Sequence, residues 1–298
     1  MKRFGIILGF AFMHSLVCFG QNSYDTIPHI HLATIAHENQ GNSFITFPTD
    51  IGNIEPIWFE ANLVPNFNIR TSKNSRLLGV LTPQMIIRMY QEESFPVRTP
   101  SYMPQLTIYY LVSEKNRAQS FSLFGRIAHH SNGQDGDFYS ENGEINLKTG
   151  SFATNYFDLG IIRTNYSERF NAVQFLSTSM EIHPPSMSIE ELRGIYGLYR
   201  WNAIFSIFKL QNKSIEGHKK ASLSIKGKAT WMFGELNDKK PIAWRRFIFS
   251  LTVYYHPKFL EDIGFFAQIY HGSDYYNIYF DHQLSVIRFG IMTEILRF

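Results

Sequence analysis

The chain has 298 residues, 44% of them hydrophobic and 18% charged, with a formal net charge of +3. Its basic residues are scattered rather than clustered, which excludes a nucleic-acid surface. Beyond the first twenty residues no run of about 18 apolar residues exists, so a membrane-spanning helix is excluded as well.

Lys2 and Arg3 followed by the apolar run from Phe4 to Val17 and by Cys18-Phe19-Gly20 predict an export signal over 1–20. A lipidated Cys18 is the competing reading, although Val17 stands where lipoprotein signals prefer a small residue. Cleavage after Gly20 removes the single cysteine, and with it disulfides, thiol nucleophiles and cysteine-based metal sites. Residues 21–42 show no clear period and read as a plug-like periplasmic segment. His29-Ile30-His31 has no third ligand nearby, so it is assigned no metal.

From 43 to 298 the chain falls into segments of about ten residues with period-2 alternation, the mark of an outer-membrane barrel. In 220–234, Leu223, Ile225, Ala229, Trp231 and Phe233 face one way, and Ser222, Ser224, Lys226, Lys228 and Thr230 the other. One such face suits lipid and the other suits water. The segments run 43–48, 57–70, 83–92, 104–114, 119–130, 154–165, 170–183, 199–212, 220–234, 244–255, 263–272 and 283–297. The predicted fold class is therefore all-β: a transmembrane antiparallel β-barrel of twelve strands, an even number as bacterial barrels require. Aromatic residues make up 16% of the chain, and many fall near segment ends, where interfacial girdles lie. With the N-terminus on the periplasmic side, the long connections 93–103, 131–153 and 184–198 face outward. The connection 71–82 is too long for a periplasmic turn and leaves the first strands least well defined. Phe298 ends the chain on an aromatic, as many such barrels do. A secreted β-sandwich also alternates, but the segments are long and the apolar face is consistent.

In the fifth segment Phe121, Leu123, Ile127, His129 and Ser131 share the apolar face, whereas Ser120, Ser122, Arg126 and His130 share the other. Same-face neighbours on a strand lie roughly 6.5 to 7 Å apart along the backbone, which lets an imidazole lean toward a hydroxyl. A serine hydroxyl needs such a base, and the base needs a third group to hold its ring. Asn155 shares the apolar face of the next segment with Phe157, Leu159 and Ile161. Cross-strand neighbours lie about 4.5 to 5.5 Å apart, within reach of an amide-to-imidazole hydrogen bond. By parity Asp158 and His130 point into the lumen, and His130, His183, His218, His256, His271 and His282 are read as bystanders.

His129-His130-Ser131-Asn132-Gly133 followed by Ser151-Phe152-Ala153-Thr154-Asn155 resembles the outer membrane phospholipase A family, whose pattern is His-x-Ser-Asn-Gly and a downstream Ser-x-x-x-Asn. Ser94-Phe95-Pro96-Val97-Arg98 through Tyr102-Met103-Pro104-Gln105 resembles an outer loop and strand entry of the same family. The likeness runs from about residue 40 to the C-terminus. It implies a twelve-stranded barrel with its active site on the outside wall, facing the outer leaflet, and acting as a calcium-dependent homodimer on membrane phospholipids. Ser131 is then the nucleophile, His129 the general base and Asn155 the residue orienting it. The family's Ca²⁺ positions match Ser94 (supplied from a second subunit), Gln134 and Ser151. The family commonly has arginine at the Gln134 position, and the 131–153 loop is longer than in the family, which leaves the place of Asp135 and Asp137 open. Two other functions compete: a lipid A deacylase or acyltransferase barrel with a similar wall site, and a noncatalytic pore or adhesion barrel.

Overall fold

A computed structural model describes residues 30–72, 74–113, 119–211, 220–236, 243–260 and 262–293. The expected export signal, His29, His218 and the terminal 294–298 with Phe298 lie outside the described residues.

Period-2 alternation is realised as a closed antiparallel sheet, with twelve strands around the ring among the described residues. β1 is two short pieces, Phe44–Thr46 and Ile51–Gly52, and β2 is likewise Ile57–Leu63 and Phe67–Ile69. Then come β3 Leu77–Tyr90, β4 Ser101–Leu111, β5 Gln119–Ser131, β6 Ala153–Ser167, β7 Ala172–Ile182 and β8 Tyr199–Leu210. β9 Ala221–Phe233, β10 Phe247–Tyr255, β11 Ile263–Ser273 and β12 Gln283–Thr293 complete it. β12 closes on β1 through Phe44↔Met292, Ile45↔Ile291 and Thr46↔Gly290. Closure leaves no open edge, which is what lets a sheet stand in hydrocarbon, where unpaired backbone groups find no water.

Several boundaries differ from the sequence reading: β10 starts at Phe247 rather than 244, because Trp244–Arg246 forms a 3-10 turn, and two further starts shift at prolines. β3 starts at Leu77 rather than 83, which shortens the long connection after β2 to an ordinary turn, and β4 starts at Ser101 rather than 104. The reason is a pair of prolines inside strands, Pro83 and Pro104, which face each other in register. A proline lacks the N–H of a ladder bond and is tolerated only where the neighbour leaves a gap. Pro83 lies where β2 is interrupted between its two pieces. Opposite Pro104, the β4–β5 ladder skips from Tyr102↔Ser131 to Gln105↔Ala128, leaving His129 and His130 unpaired on that side.

The outer face is apolar and exposed: Ile108, Leu123, Ile127 and Leu159 stand out, with Ile127 55% exposed, whereas Thr107 and Ser122 on the inner face are fully buried. The interior is polar and charged. Arg88 makes paired hydrogen bonds to Asp274 (2.7 and 2.8 Å) and one to Glu60 (2.6 Å), and Arg288 joins Glu60 at 2.8 Å. Glu181 holds Arg200 at 3.1 Å, and Arg126 faces Asp158 at 3.5 Å.

Both mouths of the barrel are covered. Helix α1, Leu32–Gln40, lies inside at the end carrying the short turns. Its Leu32, Ile35 and Ala36 pack with Leu78, Tyr109, Phe175 and Phe208. Its polar side is also engaged: Gln40 donates to Thr107 (2.9 Å) and Glu38 accepts from Ser206 (2.6 Å) and pairs with Lys226 (2.8 Å). A helix buried on every side has no solvent face and so no amphipathic period. At the opposite end, Phe138, Phe152, Tyr196, Tyr276 and Phe280 from the long loops form an aromatic cover.

Candidate active site

β5 and β6 pair from Gln119↔Asn165 to Ser131↔Ala153 without a break, which puts His129 directly opposite Asn155. His129 Nδ1 and Asn155 Oδ1 are 2.9 Å apart. Both residues are half-buried and share the exterior face with exposed Ile127 and Leu159, while His130 and Asp158 on the alternate parity are buried in the lumen. Ser131 lies on the same outward face, flanked by Tyr102 on β4 and Ala153 on β6. Among the described residues the formed hydrogen bonds end at His129, and none reaches Ser131 Oγ. The serine sits two residues, one strand repeat, from the ring on the same face.

Asn132 fixes the turn that follows. It is buried, its amide donates to Gly150 O (2.8 Å), and its Oδ1 accepts from the backbone N–H groups of Phe152 (3.0 Å) and Gln134 (3.2 Å). The turn leaving Ser131 is thereby tied to the turn entering β6. Gly133 has φ +68°, and a Cβ there would only touch the Tyr102 ring at an ordinary 3.4 Å. That conformation suits glycine.

Within this loop 137–149 folds as a separate hairpin, with Tyr139 bridging Ile145. Its base is pinched where Gly136 N–H donates to Thr149 O (3.1 Å) and Ser151 N–H donates to Gly136 O (2.9 Å). Cβ atoms added at Gly136 and Gly150 would lie 2.5 Å from Thr149 O and 2.4 Å from Asn146 O, so the pinch requires both glycines. Phe138 of this hairpin joins the aromatic cover.

The expected metal positions divide. Gln134 and Ser151 flank the pinch next to Ser131, and the Gln134 amide N–H donates to Thr99 Oγ1 (2.9 Å), leaving its oxygen free to ligate. Ser94 stands exposed on the loop after β3 and forms no hydrogen bond to either among the described residues. Asp135 and Asp137 are exposed at the foot of the hairpin. These are hard, oxygen-only donors of the kind Ca²⁺ accepts, but one chain brings together fewer than the six to eight oxygens it takes. No group of three His, Cys, Asp or Glu among the described residues is arranged to hold a metal.

Two features escaped the sequence reading. Asn155 donates its amide N–H to the Met187 carbonyl at 2.8 Å. His183, taken for a bystander, contacts Thr154 Oγ1 through Nδ1 (2.9 Å) and Glu181 through Nε2 (2.8 Å), directly beneath the site. Burial holds the His183 imidazole below its ordinary value, against the opposing pull of Glu181. His271 offers a contrast: its Nδ1 meets Ser285 Oγ at 2.7 Å across β11 and β12, but its buried Nε2 has no hydrogen-bond partner among the described residues, and the Trp244 ring lies tilted against it. Among the described residues that imidazole has no third group to orient it.

A closed twelve-stranded barrel with a His-Asn pair beside a serine on its outer wall defines an outer-membrane-type barrel with a wall site. Solved structures share this fold. Outer membrane phospholipase A from Escherichia coli aligns with TM-score 0.55 at 12% identity, covering 85% of this chain and 90% of that one. The Salmonella typhi outer membrane phospholipase dimer with bound calcium aligns with TM-score 0.57, again at 12% identity over 85% and 90%. An active-site mutant of the Escherichia coli enzyme at pH 6.1 aligns with TM-score 0.56 at 12% identity, covering 92% and 94%. No family model matches the chain, and no curated protein does. The resemblance to outer membrane phospholipase A thus holds at the level of fold.

Proposed function

We propose that this chain is an outer-membrane phospholipase of the A type, a carboxylic ester hydrolase that cleaves acyl esters of glycerophospholipids with Ser131, His129 and Asn155. The observation that carries the proposal is the 2.9 Å bond between His129 and Asn155 on the lipid-facing wall, one strand repeat from Ser131. A bilayer presents its ester carbonyls just below the headgroups, where a nucleophile near the barrel rim meets them without extracting the lipid. Both covered mouths favour chemistry at the wall over conduction through the lumen.

In this mechanism His129 Nε2 takes the Ser131 proton as Oγ attacks the acyl carbonyl, and the imidazolium so formed is steadied by Asn155 Oδ1. The same proton passes to the departing glycerol oxygen, releasing a lysophospholipid. Water, deprotonated by His129, then attacks the acyl-enzyme and frees the fatty acid. Bound Ca²⁺ would supply positive charge for the oxyanion. Gln134 and Ser151 would hold it, with Ser94 contributed from a second copy of the chain in a homodimer. The export signal 1–20 and the periplasmic segment 21–42 complete the assignment: the short-turn end faces the periplasm and the site faces the outer leaflet.

The test is hydrolysis of a dye-labelled phospholipid by refolded protein and by Ser131→Ala. Activity should fall at least about a thousandfold, as for loss of a catalytic serine. Undiminished hydrolysis by Ser131→Ala would remove the nucleophile. Cleavage of lipid A but not of phospholipid would move the substrate to the other lipid class.

A further inference from the structure

The segment that follows β7 crosses back over the start of β6. Pro185–Met187 forms one turn of 3-10 helix, closed by Met187 N–H to Pro184 O at 2.9 Å. Ile189 N–H then donates to Ala153 O at 3.1 Å, and Ser188 forms an antiparallel bridge with Thr154. The crossing delivers the Met187 carbonyl to the amide of Asn155, 2.8 Å from Nδ2.

A carbonyl oxygen can only accept a hydrogen bond. Met187 O therefore fixes which way the Asn155 amide is turned: its NH₂ faces Met187 and its Oδ1 faces His129. An amide oxygen also only accepts, so the 2.9 Å contact requires a proton on His129 Nδ1. The neutral ring then carries its lone pair on Nε2, the nitrogen free to take a proton. Without Met187 the amide could flip, present NH₂ to Nδ1 and select the opposite tautomer.

Thr154 anchors the clamp from the inside. Its side chain is fully buried, with Oγ1 2.7 Å from Ser188 Oγ and 2.9 Å from His183 Nδ1. His183 in turn meets Glu181 at 2.8 Å, and Glu181 meets Arg200 at 3.1 Å. Arg200 donates to Gly197 O and Tyr196 O of the same loop, at 3.0 and 3.1 Å. A chain of polar contacts thus runs from the lumen through Thr154 to Ser188, whose backbone neighbour Met187 carries the carbonyl bonded to the outward-facing amide.

We propose that 184–188 is a positioning element whose Met187 carbonyl, held in place by Thr154 and Ser188, sets the orientation of the Asn155 amide and through it the Nδ1-protonated tautomer of His129. The proposal rests on the reading of His129 as general base, but its central claim concerns a protonation site and can be observed without turnover. The residues that act here are Thr154 and Ser188; neither touches the reacting atoms.

The experiment uses the full mature chain refolded in detergent micelles with ¹⁵N-labelled histidine. On a Ser131→Ala background, ring ¹⁵N shifts should show His129 protonated at Nδ1 above its titration range. Thr154→Val, which keeps the shape and removes the hydroxyl, and Ser188→Ala, on the half-exposed loop, should each convert that signal to a mixture of tautomers. With Ser131 intact, the same substitutions should lower kcat about tenfold, on the scale of one oriented hydrogen bond, with KM within about twofold. Thr154→Ser should restore both readouts. Pure Nδ1 protonation retained in both Thr154→Val and Ser188→Ala would overturn the clamp, as would an Nε2-protonated ring in the parent. If Thr154→Val does not fold, Ser188→Ala alone decides. Hydrolysis that survives Ser131→Ala would refute the enzyme mechanism while leaving the tautomer measurement to judge the clamp.

Discussion

Replacing Asn155 by alanine isolates what the amide contributes to turnover. In the resting state the 2.9 Å bond joins two neutral groups and is worth about 1 kcal/mol net. When His129 takes the serine proton the ring becomes a cation, and a hydrogen bond to a charged group is worth about 1.5 to 3 kcal/mol. Only the difference, roughly 0.5 to 2 kcal/mol, enters kcat. The freed ring also samples a second tautomer and other rotamers, which adds roughly 1 kcal/mol. The sum of roughly 1.5 to 3 kcal/mol converts at 1.36 kcal/mol per decade to a fall in kcat of about ten- to 150-fold, with KM near its parent value. The assay is initial-rate hydrolysis of a dye-labelled phospholipid in mixed micelles, with circular dichroism to show that the barrel is intact. A kcat within threefold of the parent, or a loss carried by KM, would refute the role given to Asn155.

Three further outcomes are expected. Asp274→Ala leaves the fully buried Arg88 with Glu60 alone and removes the acceptor of Tyr276 N–H, so folding stability should fall by about 3 to 5 kcal/mol in urea titration of the refolded barrel; a loss under 1 kcal/mol would show that the network relaxes. His183 is held neutral by burial, so its folded pKa lies below the ordinary 6.5 and the unfolded chain binds the extra proton first. Stability should therefore be fully present above about pH 6.5 and decline as the pH falls below it, and His183→Gln should flatten that decline in thermal melts at pH 5 and 7. Excess chelator should abolish phospholipid hydrolysis and added Ca²⁺ restore it, whereas full activity in chelator would exclude the cation assigned to Gln134, Ser151 and Ser94.

Alternation made most of the barrel readable, because lipid outside and a polar lumen inside impose opposite demands on successive residues. Ile127 and Leu159 against Ser122 and Asp158 carry that signal in single strands. The signal failed where proline enters a strand: Pro83 and Pro104 look like breaks until the β2 interruption and the skipped β4–β5 pairs accommodate them. It failed also for α1, whose Leu32 and Ile35 are buried among apolar side chains and whose Glu38 and Gln40 are buried among polar ones. At the site, side chains obeyed parity and register, so His129 could be placed opposite Asn155, and Ser131 on the same face, from spacing. The Met187 carbonyl could not be found that way, since a backbone group has no residue type to read and its loop lies more than thirty positions downstream. His183 was equally hidden: its place beneath Thr154 depends on how a loop returns to the sheet.

The narrow base at Gly136 and Gly150 has an implication for how such a protein can vary. Because the backbone is already joined there and Phe138 anchors the hairpin to the aromatic cover, only its exposed tip, 140–144, is free to change, and the length of that tip is decoupled from the spacing of Ser131 and Asn155. Related barrels could then gain or lose a surface protrusion at this spot, and a foreign sequence could be grafted into it, while the chemistry on the wall stays in register.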